Sequence, residues 1–115
     1  MSVRTRRVGH EIRRIISDLL LKGELHDPRF AGMITFTHVD VSPDLRMAKV
    51  YFSCFGSDEE RSKTLEAFES ANGFIQSEVG SQLTLRVTPR LRFLIDDSMA
   101  YGDKIERLIK NIEDE

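Results

Sequence analysis

The apolar positions at the start of the chain follow the spacing of an α-helix. Between residues 3 and 21 they are separated mainly by three or four residues, which gathers them on one side of a helix. These positions are Val8, Ile12, Ile15, Ile16, Leu19 and Leu20. The opposite side carries Arg6, His10, Arg13 and Ser17, with Arg7 and Arg14 beside them. The pattern predicts an amphipathic helix over residues 3–21 that ends at Gly23.

Two strands are predicted after this helix. Residues 24–32 are rich in residues that break regular structure and predict a loop. Residues 33–41 and 46–55 are rich in β-branched and aromatic side chains, which favour strands. The segment between them, Ser42-Pro43-Asp44-Leu45, has the composition of a tight turn. We therefore expect an antiparallel hairpin.

A long helical pattern follows the hairpin. Ser57 with Glu60 three residues later is a capping box, and the apolar stripe then runs as far as Leu83. Inside the stripe lies Ala71-Asn72-Gly73, where glycine costs roughly 1 kcal/mol relative to alanine in a helix. One helix over residues 57–85 and two helices that meet near Gly73 are both compatible with this pattern.

The end of the chain predicts one more strand and one more helix. Thr88-Pro89 breaks the helical pattern, because the residue before a proline avoids the α conformation. Residues 90–96 alternate between arginines and apolar side chains, as a half-buried strand does. From about Ser98, a final helix is predicted by Tyr101, Ile105, Leu108, Ile109 and Ile112.

These elements give the order α-β-β-α-α-β with an added C-terminal helix. Three strands cannot bury both faces of their sheet alone, so helices must cover at least one face of a two-layer α+β domain. We expect a single domain over residues 1–115, with a short acidic tail at 113–115. The aromatic side chains Phe36, Tyr51, Phe52 and Phe93 are expected in the core and not on a base-stacking surface.

Composition and motifs exclude several classes of function. Hydrophobic residues make up 40% and charged residues 31% of the 115 positions, as in soluble globular domains. No apolar run is long enough for a membrane span, and no signal-peptide pattern is present. Cys54 is the single cysteine, so no internal disulfide can form and we expect a cytoplasmic protein. Without clustered metal ligands, a phosphate-binding glycine motif or a nucleophile beside a base, we expect no metal, no cofactor and no catalytic residue.

Charge is distributed unevenly along the chain, although the net charge is −2. The first 22 residues hold six basic and two acidic side chains, whereas residues 96–115 hold seven acidic and three basic ones. The basic residues that stand out are Arg6, Arg7, Arg13 and Arg14, then Arg46 and Lys49, then Arg86, Arg90 and Arg92. All but Lys49 are arginines, whose planar guanidinium can hold a phosphate with two hydrogen bonds. These groups favour a polyanionic partner.

The residues alone leave other interpretations open. A basic helix face is most often only a solvated surface, and it can also dock an acidic protein, as in a protein-binding adaptor. The acids Asp96-Asp97 would suit a hydrolase or nuclease, although the end of a strand explains them better. Ala71-Asn72-Gly73 can be a helix end or a tolerated glycine, or a place where backbone amides meet a phosphate.

Element order and sequence together resemble the ribosome-binding factor A family of bacteria, which has a type II KH-like fold. The similarity covers about residues 6–112 and is most specific in the hairpin from Val39 to Phe52. The segment from Arg86 to Phe93 also resembles the sequence of this family. KH domains usually clamp nucleic acid with a Gly-x-x-Gly loop between two helices. This family has an Ala-x-Gly kink in its place, which Ala71-Asn72-Gly73 matches.

The resemblance implies a non-enzymatic ribosome assembly factor. Such a protein binds the small ribosomal subunit and its 16S rRNA during late maturation and rRNA processing, has a role in cold adaptation, and can require an assembly GTPase for its departure. The resemblance also favours RNA contact by the three basic groups and by Ala71, Asn72 and Gly73. We expect the free protein to be a monomer.

Overall fold

The computed structural model describes residues 2–30 and 33–97. Its elements are α1 (Val3–Leu21), a short 3-10 helix (Pro28–Phe30), β1 (Ile34–Val41), β2 (Met47–Cys54), α2 (Asp58–Gln82) and β3 (Arg90–Ile95). The strands form one sheet in the order β1-β2-β3, and both helices pack on the same face of it. The α+β class is therefore confirmed. The helix predicted from Ser98 lies outside the described residues.

Local hydrogen bonds close both ends of α1. Ser2 is the N-cap, and its hydroxyl oxygen accepts a bond from the N–H three residues on at 3.1 Å. At the other end Gly23 has a φ of +70°, and the N–H of Glu24 donates to the carbonyl oxygen of Leu19 at 3.0 Å. This Schellman arrangement needs a left-handed residue, which explains why the helix ends at the predicted glycine.

β1 and β2 form the predicted antiparallel hairpin, with Val41 opposite Ala48. The carboxylate of Asp44 holds the turn. It accepts hydrogen bonds from the hydroxyl of Ser42 at 2.7 Å and from the N–H of Arg46 at 3.1 Å. The Ser42 bond, followed by the Arg46 bond, lowers the pKa of Asp44 from its usual value.

β3 lies beside β2 and runs parallel to it. Met47 is opposite Arg90 and Phe52 is opposite Ile95. Parallel neighbours cannot be joined by a tight turn, so the chain has to cross back over the full length of the sheet. α2 makes this crossing, and β1 and β3 are left as the two edge strands of the described sheet.

The ring of Phe68 on α2 lies at the centre of the core. Its centroid is 4.7 Å from that of Phe30, 4.8 Å from those of Phe52 and Phe93, and 5.6 Å from that of Phe36. These rings come from the 3-10 helix and from all three strands, so one buried side chain joins both layers. Neither α1 nor α2, the two α-helices of the described chain, is long and apolar enough to span a membrane.

α2 settles the question of one helix or two. It starts at the predicted capping box, in which the Ser57 side chain accepts from the N–H of Glu60, and it continues through Gly73 to Gln82. No second helix begins at Gly73, so the described order is α-β-β-α-β. Phe68 and Ile75 are both fully buried on either side of the glycine. Continuous packing on the sheet therefore outweighs a helix-propensity cost of about 1 kcal/mol.

The structure corrects the predicted position of one aromatic residue. Phe36, Phe52 and Phe93 are buried as expected. Tyr51 is only half-buried, and its neighbours in the strand, Val50 and Phe52, belong to the core. Because successive side chains of a strand point to opposite faces, Tyr51 lies on the sheet face opposite the described helices α1 and α2.

Two glycines inside helices predict opposite effects of alanine substitution. A Cβ on Gly9 would lie 3.0 Å from the carbonyl oxygen of Val39, whereas a Cβ on Gly73 would meet nothing within 4 Å. We expect Gly73→Ala to raise the free energy of unfolding by about 1 kcal/mol through helix propensity. Gly9→Ala should lower it by about 1–2 kcal/mol, because α1 would be pushed off β1. Urea denaturation measures both changes, and a stabilised Gly9→Ala protein would contradict the close approach.

Candidate nucleic-acid interface

The path of the chain brings basic residues from distant segments to one end of the sheet. α1 begins there, as the close approach of Gly9 to the end of β1 shows. The β1–β2 turn lies at this end too, and the N–H of Arg90 donates to the carbonyl oxygen of Arg46 at 2.8 Å. α2 finishes nearby, because a Cβ on Gly80 would come within 2.6 Å of the Thr88 hydroxyl in the loop before β3.

We call this region the basic end. Its exposed cations are Arg4, Arg6, Arg7, Arg46, Arg86 and Arg90, and Lys49 and Arg92 follow along β2 and β3. None of these eight side chains forms an ion pair within residues 2–30 and 33–97. Their hydrogen-bond donors are therefore available to phosphate oxygens. Arg4 was not among the residues predicted to contact RNA.

The opposite end of the sheet, which we call the acidic end, holds paired cations. Its acids are Asp58, Glu59 and Glu60 at the start of α2, and Asp96 and Asp97 after β3. Arg61 lies 3.6 Å from the carboxylate of Asp58 and also forms an ion pair with Asp97. The Nζ of Lys63 lies 3.4 Å from Glu59. These cations are partners of nearby acids and are not free to bind a polyanion.

Arg29 is paired in the same way beside the 3-10 helix. Its Nη2 lies 2.5 Å from the Oδ2 of Asp27, and its Nη1 lies 3.8 Å from Glu66 on α2. The hydrogen bond from Arg29 lowers the pKa of Asp27, so this carboxyl stays ionised to lower pH than usual. Arg29 thus connects the 3-10 helix to α2.

Arg13 and Arg14 are not brought to the basic end, because they lie near the middle of α1. Arg14 lies 2.9 Å from Glu11 and 3.3 Å from Asp18, and its hydrogen bond lowers the pKa of Glu11. Arg13 has no ion pair within the described chain and lines a groove of about 390 Å³ beside Phe30. The two neighbouring arginines are therefore not equivalent, and Arg13 is the freer of the two.

Two amide side chains of α2 cover part of the free edge of β3. Gln76 donates from Nε2 to the carbonyl oxygen of Pro89 at 2.6 Å, and its Oε1 accepts from the N–H of Leu91 at 3.0 Å. Asn72 donates from Nδ2 to the carbonyl oxygen of Leu91 at 3.3 Å. The amide of Gln76 thus offers β3 the donor and acceptor that a fourth strand would offer. These contacts hold the start of β3, which carries Arg90 and Arg92.

The predicted tripeptide divides into three different environments. Ala71 is half-buried against the core, Asn72 turns toward β3, and Gly73 is exposed to solvent. A groove of about 370 Å³ lies beside Asn72 and is also lined by Tyr51 and Arg92. The structure therefore brings Asn72 and Arg92 to one groove.

Gln76 is the residue of this region that the sequence did not reveal. It follows Asn72 by one helical turn, so the two side chains share a helix face. Nothing in the sequence shows that this face meets the edge of β3, because the contact joins residues far apart in the chain. Asn72, which is predicted to contact RNA, also has a structural role that was not expected, because it donates a hydrogen bond to β3.

Comparison with known proteins identifies the family. The family model for ribosome-binding factor A matches residues 4–109. The chain belongs to the ribosome-binding factor A family. It is 43% identical over 108 residues to ribosome-binding factor A of Clostridium novyi (strain NT), covering 94% of this chain and 88% of the relative. It is 46% identical over 112 residues to that of Geobacter sp. (strain M21), covering 97% and 92%.

Solved structures of ribosome-binding factor A share the fold. A solution NMR structure of a Thermotoga maritima protein named as a ribosome-binding factor A aligns with a TM-score of 0.71 and 34% identity, over 82% of this chain and 88% of that one. The crystal structure from Thermus thermophilus aligns with a TM-score of 0.66 and 24% identity, over 79% and 94%. The KH-like fold implied by the resemblance is therefore confirmed.

The amide of Gln76 leads to a prediction about stability. Gln76→Leu would leave the carbonyl of Pro89 and the N–H of Leu91 without their described partner. We expect a loss of about 1–3 kcal/mol in the free energy of unfolding, as for other buried polar groups that lose a bond. Gln82→Leu is the control, since Gln82 is exposed at the end of the same helix. Equal urea midpoints for the two variants would show that the edge contact contributes nothing.

Proposed function

We propose that this protein is a non-enzymatic ribosome assembly factor that binds the small ribosomal subunit through its 16S rRNA. The basic end forms the main contact, and the acidic end faces away from the RNA. The family supports the proposal, and so does the geometry of the charges.

The unequal pairing of cations is the observation that carries the proposal. At the acidic end and beside the 3-10 helix, Arg61, Lys63 and Arg29 lie within 4 Å of carboxylates. At the basic end the eight exposed cations have no such partner in the part of the chain that the structure describes. Binding a phosphate backbone there breaks none of the described ion pairs, and it releases counterions from the RNA.

The chemistry of the basic end favours nucleic acid over an acidic protein. Seven of its eight cations are arginines and only Lys49 is a lysine. Arginine presents a flat pair of donors that matches a phosphate or the edge of a base, whereas lysine acts as a point charge. The cations are also spread over α1, the hairpin turn and β3, a surface broad enough to follow a backbone with repeated phosphates.

A related protein has been placed on the ribosome. A homology model of Thermus thermophilus ribosome-binding factor A was fitted into a cryo-EM map of a 30S complex, and it aligns with this chain with a TM-score of 0.61 and 24% identity, over 77% of this chain and 91% of that one. At that identity the likeness shows the fold alone. It supports the proposed partner by analogy.

Binding alone is sufficient for an assembly role. A factor that prefers one RNA conformation shifts the folding equilibrium toward it by the difference in its two binding free energies. The proposed role is to stabilise a late conformation of the subunit during rRNA processing, with greater importance in the cold, where RNA misfolding persists longer. A cytoplasmic location, a monomeric free state and departure aided by an assembly GTPase complete the proposal.

Charge reversal at the basic end tests the proposal. We expect Arg86→Glu combined with Arg90→Glu to weaken binding to purified immature small subunits at least tenfold. The slope of log K against log salt should fall by about two, because two phosphate contacts are lost. Sedimentation of the subunits over a range of salt concentrations measures both quantities.

A matched control variant carries the same charge change away from the basic end. Lys22→Glu combined with Lys63→Glu alters two exposed lysines and should change the affinity by less than about threefold, as expected of charges that do not touch RNA. If the two double variants lose affinity equally, only net charge matters and the proposed orientation is wrong. If an acidic protein competes with subunits as well as rRNA does, the adaptor interpretation is favoured.

A further inference from the structure

The face of the sheet opposite α1 and α2 carries a cationic and aromatic surface. Its side chains come from alternate positions of the three strands. They include His38 and Asp40 on β1, Met47, Lys49 and Tyr51 on β2, and Arg90, Arg92 and Leu94 on β3. Thr35 and Ser53 lie on the same face at the other end of the hairpin. We call this surface the open face. The described helices α1 and α2 both contribute to the single core on the other side.

Strand register arranges these side chains in cross-strand rows. Asp40, Lys49 and Arg92 form one row, because Lys49 is opposite each of the other two. Tyr51 is opposite both His38 and Leu94 and forms the next row. Rows on one face are about 7 Å apart along a strand. The Tyr51 ring is therefore flanked along its own strand by Lys49 and diagonally across the sheet by Arg92.

The Tyr51 row has the properties of a stacking surface. The ring centroids of His38 and Tyr51 are 5.9 Å apart, with planes tilted by 34°. Tyr51 is half-buried and His38 is exposed, and the half-buried Leu94 lies opposite Tyr51 on β3. An aromatic ring on an open sheet, with arginine beside it, is how several RNA-binding sheets hold an unstacked base.

We propose that the open face binds single-stranded RNA, with a base stacked on Tyr51 and the backbone held by Lys49, Arg90 and Arg92. Only an unpaired base exposes its flat face to a ring on a sheet, so a duplex does not fit this surface. Asp40 on β1 and Asp96 after β3 are the acids at the borders of this surface, and Glu69 of α2 lines the groove beside Tyr51. The phosphates are therefore directed to the cations Lys49, Arg90 and Arg92. This inference rests on the proposed function for the identity of the RNA, a single-stranded segment of rRNA.

The open face is continuous with the rest of the interface. Arg90 belongs both to the basic end and to the open face. The groove of about 370 Å³ that is lined by Tyr51, Arg92 and Leu94 also includes Asn72 and Glu69 of α2, so it passes around the free edge of β3. A single strand can therefore leave the basic end along β3 and reach the Tyr51 ring.

Tyrosine emission gives a direct test. The chain has two tyrosines, Tyr51 and Tyr101, and no tryptophan. In the full chain carrying Tyr101→Phe, all tyrosine emission comes from Tyr51, and a stacked base quenches it. We expect quenching on titration with a single-stranded oligoadenylate of about eight nucleotides, a length within the range of known single-strand sites. A duplex RNA of equal length should give much less.

Affinity measurements on two variants accompany the emission test. Tyr51→Leu should weaken oligoadenylate binding about tenfold, as loss of one stacking platform does. Tyr51→Phe keeps the ring and should change the affinity less than about twofold. Should Tyr51→Leu lower the thermal midpoint strongly, the quenching of Tyr51 itself still decides, because that experiment leaves the residue in place.

The possible outcomes separate this inference from the proposed function. Unchanged Tyr51 emission at saturating oligoadenylate, or equal affinity of Tyr51→Leu and Tyr51→Phe for it, overturns the single-strand site even when the protein still binds small subunits. If oligoadenylate quenches Tyr51 but the protein does not sediment with small subunits, the single-strand site is supported and the proposed function is contradicted.

Discussion

The parallel pairing of β3 with β2 is the constraint on which the other features depend. It obliges the chain to return to the starting end of β2, so α2 must run the whole length of the sheet. Phe68 anchors this crossing among rings from every strand, and Gln76 holds the start of β3. The same crossing carries the acids of the first turn of α2 to one end of the molecule and delivers Arg86 and Arg90 to the other.

Charge separation is therefore a consequence of topology. A chain with a net charge of −2 presents one end whose cations form no ion pair among the described residues and another whose cations are neutralised by close carboxylates. A polyanion meets attraction from the first end and repulsion from the second, which orients the encounter before any specific contact forms. The acidic end also limits binding to RNA in other orientations.

The sequence was sufficient for features that depend on neighbouring residues. The caps at Ser57 and Gly23, the hairpin and the apolar stripe of α1 follow from local chemistry and are present as predicted. The pairing of Arg14 with Glu11 and Asp18 follows from helical spacing of three and four residues, so it also depends on neighbouring residues. Strand alternation could likewise have placed Tyr51 opposite the core. The contact of Gln76 with β3 could not be predicted from the sequence, because it joins two segments whose relative position is defined only by the folded sheet.

The orientation of the protein on rRNA is measured most directly by hydroxyl-radical cleavage from a tethered iron chelate. With Cys54→Ser removing the single cysteine, Thr84→Cys places the probe near the basic end and Ser62→Cys places it near the acidic end, both at exposed positions. We expect strong, localised cleavage of 16S rRNA from position 84 and weak cleavage from position 62. Equal cleavage from both, or stronger cleavage from position 62, would contradict an RNA contact through the basic end.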